Sequence, residues 1–159
     1  MQRDRSKWTE IVVKRMPPPG WFAICLVGVV LFWKLVPQGN VLPDWLRGLG
    51  YFEIFLGLAL MLDVVIRFFR ARTTVHPFHK ASVLVTDGML RFSRNPIYLG
   101  FSLILFGVSL ILGTLPGMVM IPTFMWAVTR YVILDEEAML EAEFGQAYRD
   151  YKARVRRWL

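Results

Sequence analysis

Residues 97–134 read IYLGFSLILFGVSLILGTLPGMVMIPTFMWAVTRYVIL. Two apolar arms, 97–112 and 115–134, flank Gly113-Thr114-Leu115-Pro116-Gly117, a run of turn formers that stops one helix and starts the next. Leu115 is equidistant in sequence from Pro96 and Leu134. Antiparallel arms of equal length return the chain to its starting depth. Arg94-Asn95 on one side and Asp135-Glu136-Glu137 on the other are therefore expected at one level, at a membrane surface.

Two further apolar runs, 21–36 and 49–69, lie upstream. The shorter runs fall below the ~20 residues of an untilted span. They cross with local thinning of the bilayer, or with anchors such as Trp33, Lys34 and Trp45 at the interface. The chain is 55% hydrophobic with a mean hydropathy of +0.45, more apolar surface than a soluble domain of 159 residues hides. The expected fold is an all-α integral membrane protein forming one membrane domain over residues 1–159. It comprises a tail at 1–20, four spans, a loop between the second and third, and an amphipathic helix within 135–159. The start of the chain lacks the small-residue cleavage site of a signal peptide, so the first run is expected to stay as a span.

Net charge is +7, and the basic residues gather at the ends of the apolar runs. Arg3, Arg5, Lys7, Lys14 and Arg15 precede the first span. Arg70, Arg72, Lys80, Arg91 and Arg94 lie between the second and third, with Arg67 at the edge, and Arg149, Lys152, Arg154, Arg156 and Arg157 follow the fourth. The opposite side has Arg47 and the edge residue Lys34. The positive-inside rule puts both termini and the middle loop in the cytoplasm, which in a bacterium means an inner-membrane protein. This placement favours anionic lipid headgroups over nucleic acid as the partner of the basic residues. Cys25 is the sole cysteine, so no internal disulfide or thiolate metal cluster is expected. His76 and His79 lack the nearby ligands of a metal site.

After the fourth span, Leu140, Phe144, Tyr148, Tyr151 and Val155 recur at three- and four-residue steps, the pattern of an amphipathic helix from Glu136 to Trp158. Such a helix either lies on the membrane or folds back as a lid over the converged polar motifs. Periodicity fits both. In the second span Glu53 and Asp63 project within about 80° of each other. An intramembrane carboxylate is functional by default, although Asp63 has Arg67 one turn later as a partner.

Two strings carry the chemistry. Leu84-Val85-Thr86-Asp87-Gly88 precedes Arg94-Asn95-Pro96-Ile97-Tyr98-Leu99-Gly100. Glu136-Glu137 precedes Phe144-Gly145, Tyr148, Tyr151 and Arg154-Val155. In order and spacing they resemble the signature of the isoprenylcysteine carboxyl methyltransferase and phospholipid N-methyltransferase superfamily, in its small bacterial form, over residues 84–159. Asn95 stands where many carboxyl methyltransferases have His and phospholipid N-methyltransferases often have Asn. Leu90 replaces an aromatic residue and Arg156 a proline.

The resemblance implies S-adenosyl-L-methionine as cofactor and a membrane lipid or lipidated acceptor, methylated at a carboxyl oxygen or an amine. It implies cofactor contacts from Leu84, Val85, Arg94, Asn95, Pro96, Tyr98, Gly100, Glu136, Glu137, Tyr148 and Tyr151. Arg94, Asn95 and Glu137 are the residues it places nearest the chemistry. The residue types suit that cofactor. A guanidinium takes a carboxylate in bidentate fashion, carboxylates and aromatic faces stabilise ammonium and sulfonium, and a glycine admits close approach. Two other readings compete. A membrane reductase would need a larger basic pocket for nicotinamide phosphates, and a non-enzymatic scaffold would use Arg94 and the Glu pair only as a salt bridge across the hairpin. A surface pair of that kind costs little when broken.

Overall fold

The computed structural model describes residues 16–37, 42–71 and 83–159, and every regular element among them is helical. Helix α1 (Pro18–Leu35) opens on prolines, which lose nothing in a first turn whose N–H groups have no helical partner. Helix α2 (Trp45–Arg70) ends with Arg67 and Arg70, cations at the negative end of the helix dipole. Helix α3 (Pro96–Leu112) again begins with proline and stops at Gly113, whose φ of 68° is left-handed. A 3₁₀ turn (Pro116–Val119), α4 (Met120–Val128), a π turn (Thr129–Ile133) and α5 (Leu134–Phe144) then run on as one helical rod. Helix α6 (Gln146–Arg154) comes last.

Among the described residues three helices are long and apolar enough to cross a membrane: α1, α2 and the 29-residue rod Pro116–Phe144. Helix α3 is apolar but has 17 residues, a rise of about 25 Å against a hydrocarbon core of about 30 Å. The helical rod does not stop at Leu134 but runs on to Phe144, into the first half of the expected C-terminal helix. That helix is two helices. Gly145, at φ 54° and ψ −122°, adopts a conformation that only glycine enters freely, and it turns α6 back on the rod. Most of the expected N-terminal tail and its basic residues, with Arg72, His76, His79 and Lys80, lie outside the described residues.

Helices α1, α3 and α4 enclose the main core around Cys25, Val29, Leu105, Phe124 and Val128. Within it the ring of Phe22 lies 4.7 Å from that of Phe101, and both meet Phe124 edge-on. Helix α2 stands outside this core and packs along α3. Gly50 faces Gly107, and Gly57 faces Gly100. A Cβ on Gly57 would sit 2.6 Å from the Gly100 carbonyl oxygen, and one on Gly50 2.7 Å from that of Gly107. Small residues let two backbones meet in lipid, where hydrophobic exclusion between helices is weak. Gly100 was expected to admit a ligand, but its bare face is filled by α2. The outer face of α2 presents Phe55 and Phe69, 68% and 84% exposed, an apolar surface matched to acyl chains.

Candidate active site

The α3–rod hairpin brings its two polar motifs together at one end of the bundle. Pro96 starts α3 immediately after Asn95 and thereby places Arg94 at the helix mouth. Glu136 and Glu137 are neighbours in α5, so their side chains leave the helix about 100° apart. Glu136 accepts a hydrogen bond of 2.8 Å from the Tyr98 hydroxyl. Glu137 turns the other way and accepts one of 2.9 Å from Arg94 Nη2. Both partners of that second pair keep only 8% side-chain exposure.

The reversal at Gly145 supplies the remaining wall. Arg157 Nε and Nη2 donate to the two oxygens of Glu137 at 2.9 and 2.8 Å, a bidentate pair, and Lys152 Nζ lies 4.0 Å away. The Arg157 carbonyl accepts from Asn95 Nδ2 at 3.0 Å and Ser93 Oγ at 3.3 Å. The Arg94 guanidinium donates to the Lys152 carbonyl, and its backbone N–H to the Arg156 carbonyl. One carboxylate thus stands among three cations. Hydrogen bonding to Glu137 raises the pKa of Arg157 further. Arg94 Nε is buried without a hydrogen-bond partner.

Beneath this layer the expected amphipathic stripe forms a small core of its own. Tyr148, Tyr151 and Val155 are buried against Leu84, Leu140 and Phe144. The break at Gly145 does not scatter the stripe, because the chain reversal keeps the same side chains facing inward. The Tyr151 hydroxyl donates to the Leu90 carbonyl at 2.7 Å. Burial, reinforced by the charge of Glu137, pushes the Tyr148 phenol up to about 12. Tyr151 is raised as well, by burial first and then by Tyr148.

A second cluster lies across the bundle end. Arg67 donates to Asp63 at 2.9 Å and also pairs with Asp87, while Asp63 accepts the Met89 backbone N–H at 3.1 Å. A cavity of about 690 Å³ opens beside it, lined by Leu60, Asp63, Arg67, Asp87, Met89 and Phe92 among others. A smaller one, about 430 Å³, is lined by Arg67, Arg70, Leu84, Val85 and Asp87 among others. Neither reaches Arg94, Asn95, Tyr98, Glu136 or Glu137.

The family profile for phospholipid methyltransferases matches residues 45–147, well over half the chain. The chain belongs to the phospholipid methyltransferase family. Two relatives accompany that match. A protein-S-isoprenylcysteine O-methyltransferase of Schizosaccharomyces pombe is 32% identical over 77 residues, which cover 48% of this chain and 33% of the yeast protein. An uncharacterized protein of Haemophilus influenzae is 40% identical over 63 residues, 40% of this chain and the whole of that protein. The chain thus spans about a third of its yeast relative. Family and apolar helices together mark an integral membrane protein of a methyltransferase family.

In this family member the expected residues separate into layers. Arg94, Asn95, Tyr98, Glu136 and Glu137 form the polar layer, with Pro96 starting the helix beneath it. Tyr148 and Tyr151 lie in the supporting core with Leu84, and Val85 lines the smaller cavity. Sequence reading missed Arg157, Ser93 and Asp87. Arg157 was counted with Arg154 and Arg156 as a charge reporting topology, and no periodic signal separates it from them.

Proposed function

We propose that this chain transfers the methyl group of S-adenosylmethionine to a lipid or lipidated acceptor at the cytoplasmic surface of the membrane. Four spans, counting the short α3, and both termini on the cytoplasmic side complete the reading, from the distribution of lysine and arginine. The observation that carries it is the unpaired Nε of Arg94, buried beside Glu137 in a phospholipid methyltransferase fold. That donor fits the carboxylate of an amino-acid moiety. Glu136, with a hydrogen bond from Tyr98, is the nearby group suited to a cation. The cofactor, when bound, supplies an electrophilic methyl group on a sulfonium.

The chain's own residues hold, orient and exclude water. Glu137, Arg157 and Asn95 fix the Arg94 guanidinium and the C-terminal segment as one unit. Leu84 and Val85 offer apolar surface and backbone polar groups to a nucleobase. Tyr148 and Tyr151 keep water from the inner wall. In-line displacement needs little more than position and desolvation, so these roles suffice for a carboxylate acceptor. An amine acceptor must first lose a proton.

Two measurements test the proposal. Purified protein with labelled methyl donor and total membrane lipid extract is expected to move label into the organic phase. Calorimetry with S-adenosylhomocysteine is expected to show binding that Arg94→Ala weakens about tenfold or more, the loss of a charge-assisted hydrogen bond. Unchanged affinity in that variant would return Arg94 to a purely structural role.

A further inference from the structure

Arg130 lies on the membrane-crossing rod and is exposed. Among the described residues no carboxylate lies within ion-pair distance of it; its contact is the face of Tyr131, 5.8 Å from guanidinium carbon to ring centre. Tyr131 is clamped in turn. It stacks on Trp21 of α1 at 5.3 Å with planes 6° apart, and Trp126 meets it edge-on at 5.9 Å. The Trp21 indole N–H beside it is buried without an acceptor. An arginine at this depth is costly in hydrocarbon unless its charge reaches a partner.

The π turn sets the face of Arg130 relative to Glu137. Seven residues separate Arg130 from Glu137, which on a plain α-helix would put them on one face about 10 Å apart along the axis. The π segment Thr129–Ile133 adds a residue to the turn and rotates the helix beyond it by about 100°. Glu137 faces the interior, and Arg130 is left exposed on the outer face of the rod. Rare π turns of this kind concentrate at functional positions. Below Arg130 on the same face, Val119, Thr123 and Trp126 form an exposed column toward the other end of the rod. An acyl chain fits along this column.

We propose that Arg130, framed by Trp126 and Tyr131, is a binding site for the phosphate of a membrane phospholipid whose acyl chain lies along Val119, Thr123 and Trp126. Charge complementarity selects phosphate, and the apolar column selects a lipid over a free anion. The site stands apart from the Arg94–Glu137 layer and does not depend on methyl transfer.

The test uses the purified full chain in detergent. Thermal protection is titrated with dioleoyl phosphatidylglycerol, with dioleoylglycerol (the same chains without phosphate) and with inorganic phosphate. The wild type is expected to be protected by the phospholipid alone. Arg130→Gln is expected to need about five times more of it, since a basic residue near an anionic surface contributes on that order. Arg130→Lys should retain part of the effect, and Trp126→Leu should weaken it independently. S-adenosylhomocysteine binding, measured on the same preparations, should not change in Arg130→Gln, which separates failure here from failure of the methyltransferase reading. Equal phospholipid protection in wild type and Arg130→Gln would overturn the proposal. Protection by dioleoylglycerol or inorganic phosphate to the same degree would do so too.

Discussion

Two arginine–carboxylate clusters close the same end of the bundle in opposite proportions. One carboxylate, Glu137, is held by Arg94 and Arg157 with Lys152 at 4.0 Å. One guanidinium, Arg67, is shared by Asp63 and Asp87. The first lies where Arg94 and Glu137 side chains are 8% exposed. In the second, Asp87 is 64% exposed and Arg67 30%. Arg157, 32% exposed, meets water much as Arg67 does, so the contrast rests on the Arg94–Glu137 pair, where water compensates a broken bond least. The sharing differs as well. Glu137 collects two guanidiniums while Lys152 sits nearer Glu141, at 3.6 Å, whereas Arg67 collects two carboxylates.

The strongest way to break this contrast is Glu137→Gln. It leaves the buried Arg94 guanidinium without its carboxylate, and a loss of about 3 kcal/mol is expected in denaturant unfolding from micelles, together with loss of S-adenosylhomocysteine binding. The surface-pair expectation drawn from the sequence, that breaking this bridge costs little, does not survive the burial of Glu137. A loss no larger than that of an exposed pair would erase the distinction between the clusters.

The opposite cluster sharpens the contrast. Asp63→Asn, at a half-buried position with both Arg67 and the Met89 N–H as partners, is expected to cost roughly 1 kcal/mol in the same assay. Asp87→Asn, largely in water, is expected to stay within about 0.5 kcal/mol of wild type. A larger cost for Asp87 than for Asp63 would show that burial is not what ranks them.

The smallest expected effect is spectroscopic. The Tyr148 phenol is raised to about 12 by burial and by Glu137. Its neutral form is favoured by the fold, so that contribution is whole below the ordinary tyrosine value of about 10 and is lost as pH rises through 12. The difference in near-ultraviolet phenolate absorbance between wild type and Tyr148→Phe should therefore rise near pH 12. In a Glu137→Gln background its midpoint should fall by a fraction of a unit. A midpoint at the ordinary tyrosine value would mean that Tyr148 is open to water.

How much the sequence revealed depends on how local each signal is. Asp63 and Arg67 are four residues apart on one helix, and their pairing is readable from that spacing. The meeting of Arg94 with the Glu pair is readable because two arms of equal length return to one depth. Asp87 was not readable, since a 20-residue separation lies between it and Arg67. Arg157 was hidden for a sharper reason. Its contact with Glu137 depends on the backbone reversal at Gly145, and a glycine after a helical run signals a break without giving the direction of the chain beyond it. The stripe from Leu140 to Val155 was read correctly as one apolar face, but its helix was not, because inward packing survives a change of direction.

The paired glycines between α2 and α3 act as a gauge on chain length. Gly50 and Gly57 are spaced as Gly100 and Gly107 are, and each pair meets backbone to backbone. One residue inserted between the glycines of either helix would rotate one of them about 100° out of the seam and bring a side chain where no atom fits. Insertions and deletions among descendants of this chain are therefore excluded from 50–57 and 100–107. They are admitted in the links outside these segments, so drift in chain length is channelled into the loops and the two helices inherit a fixed vernier.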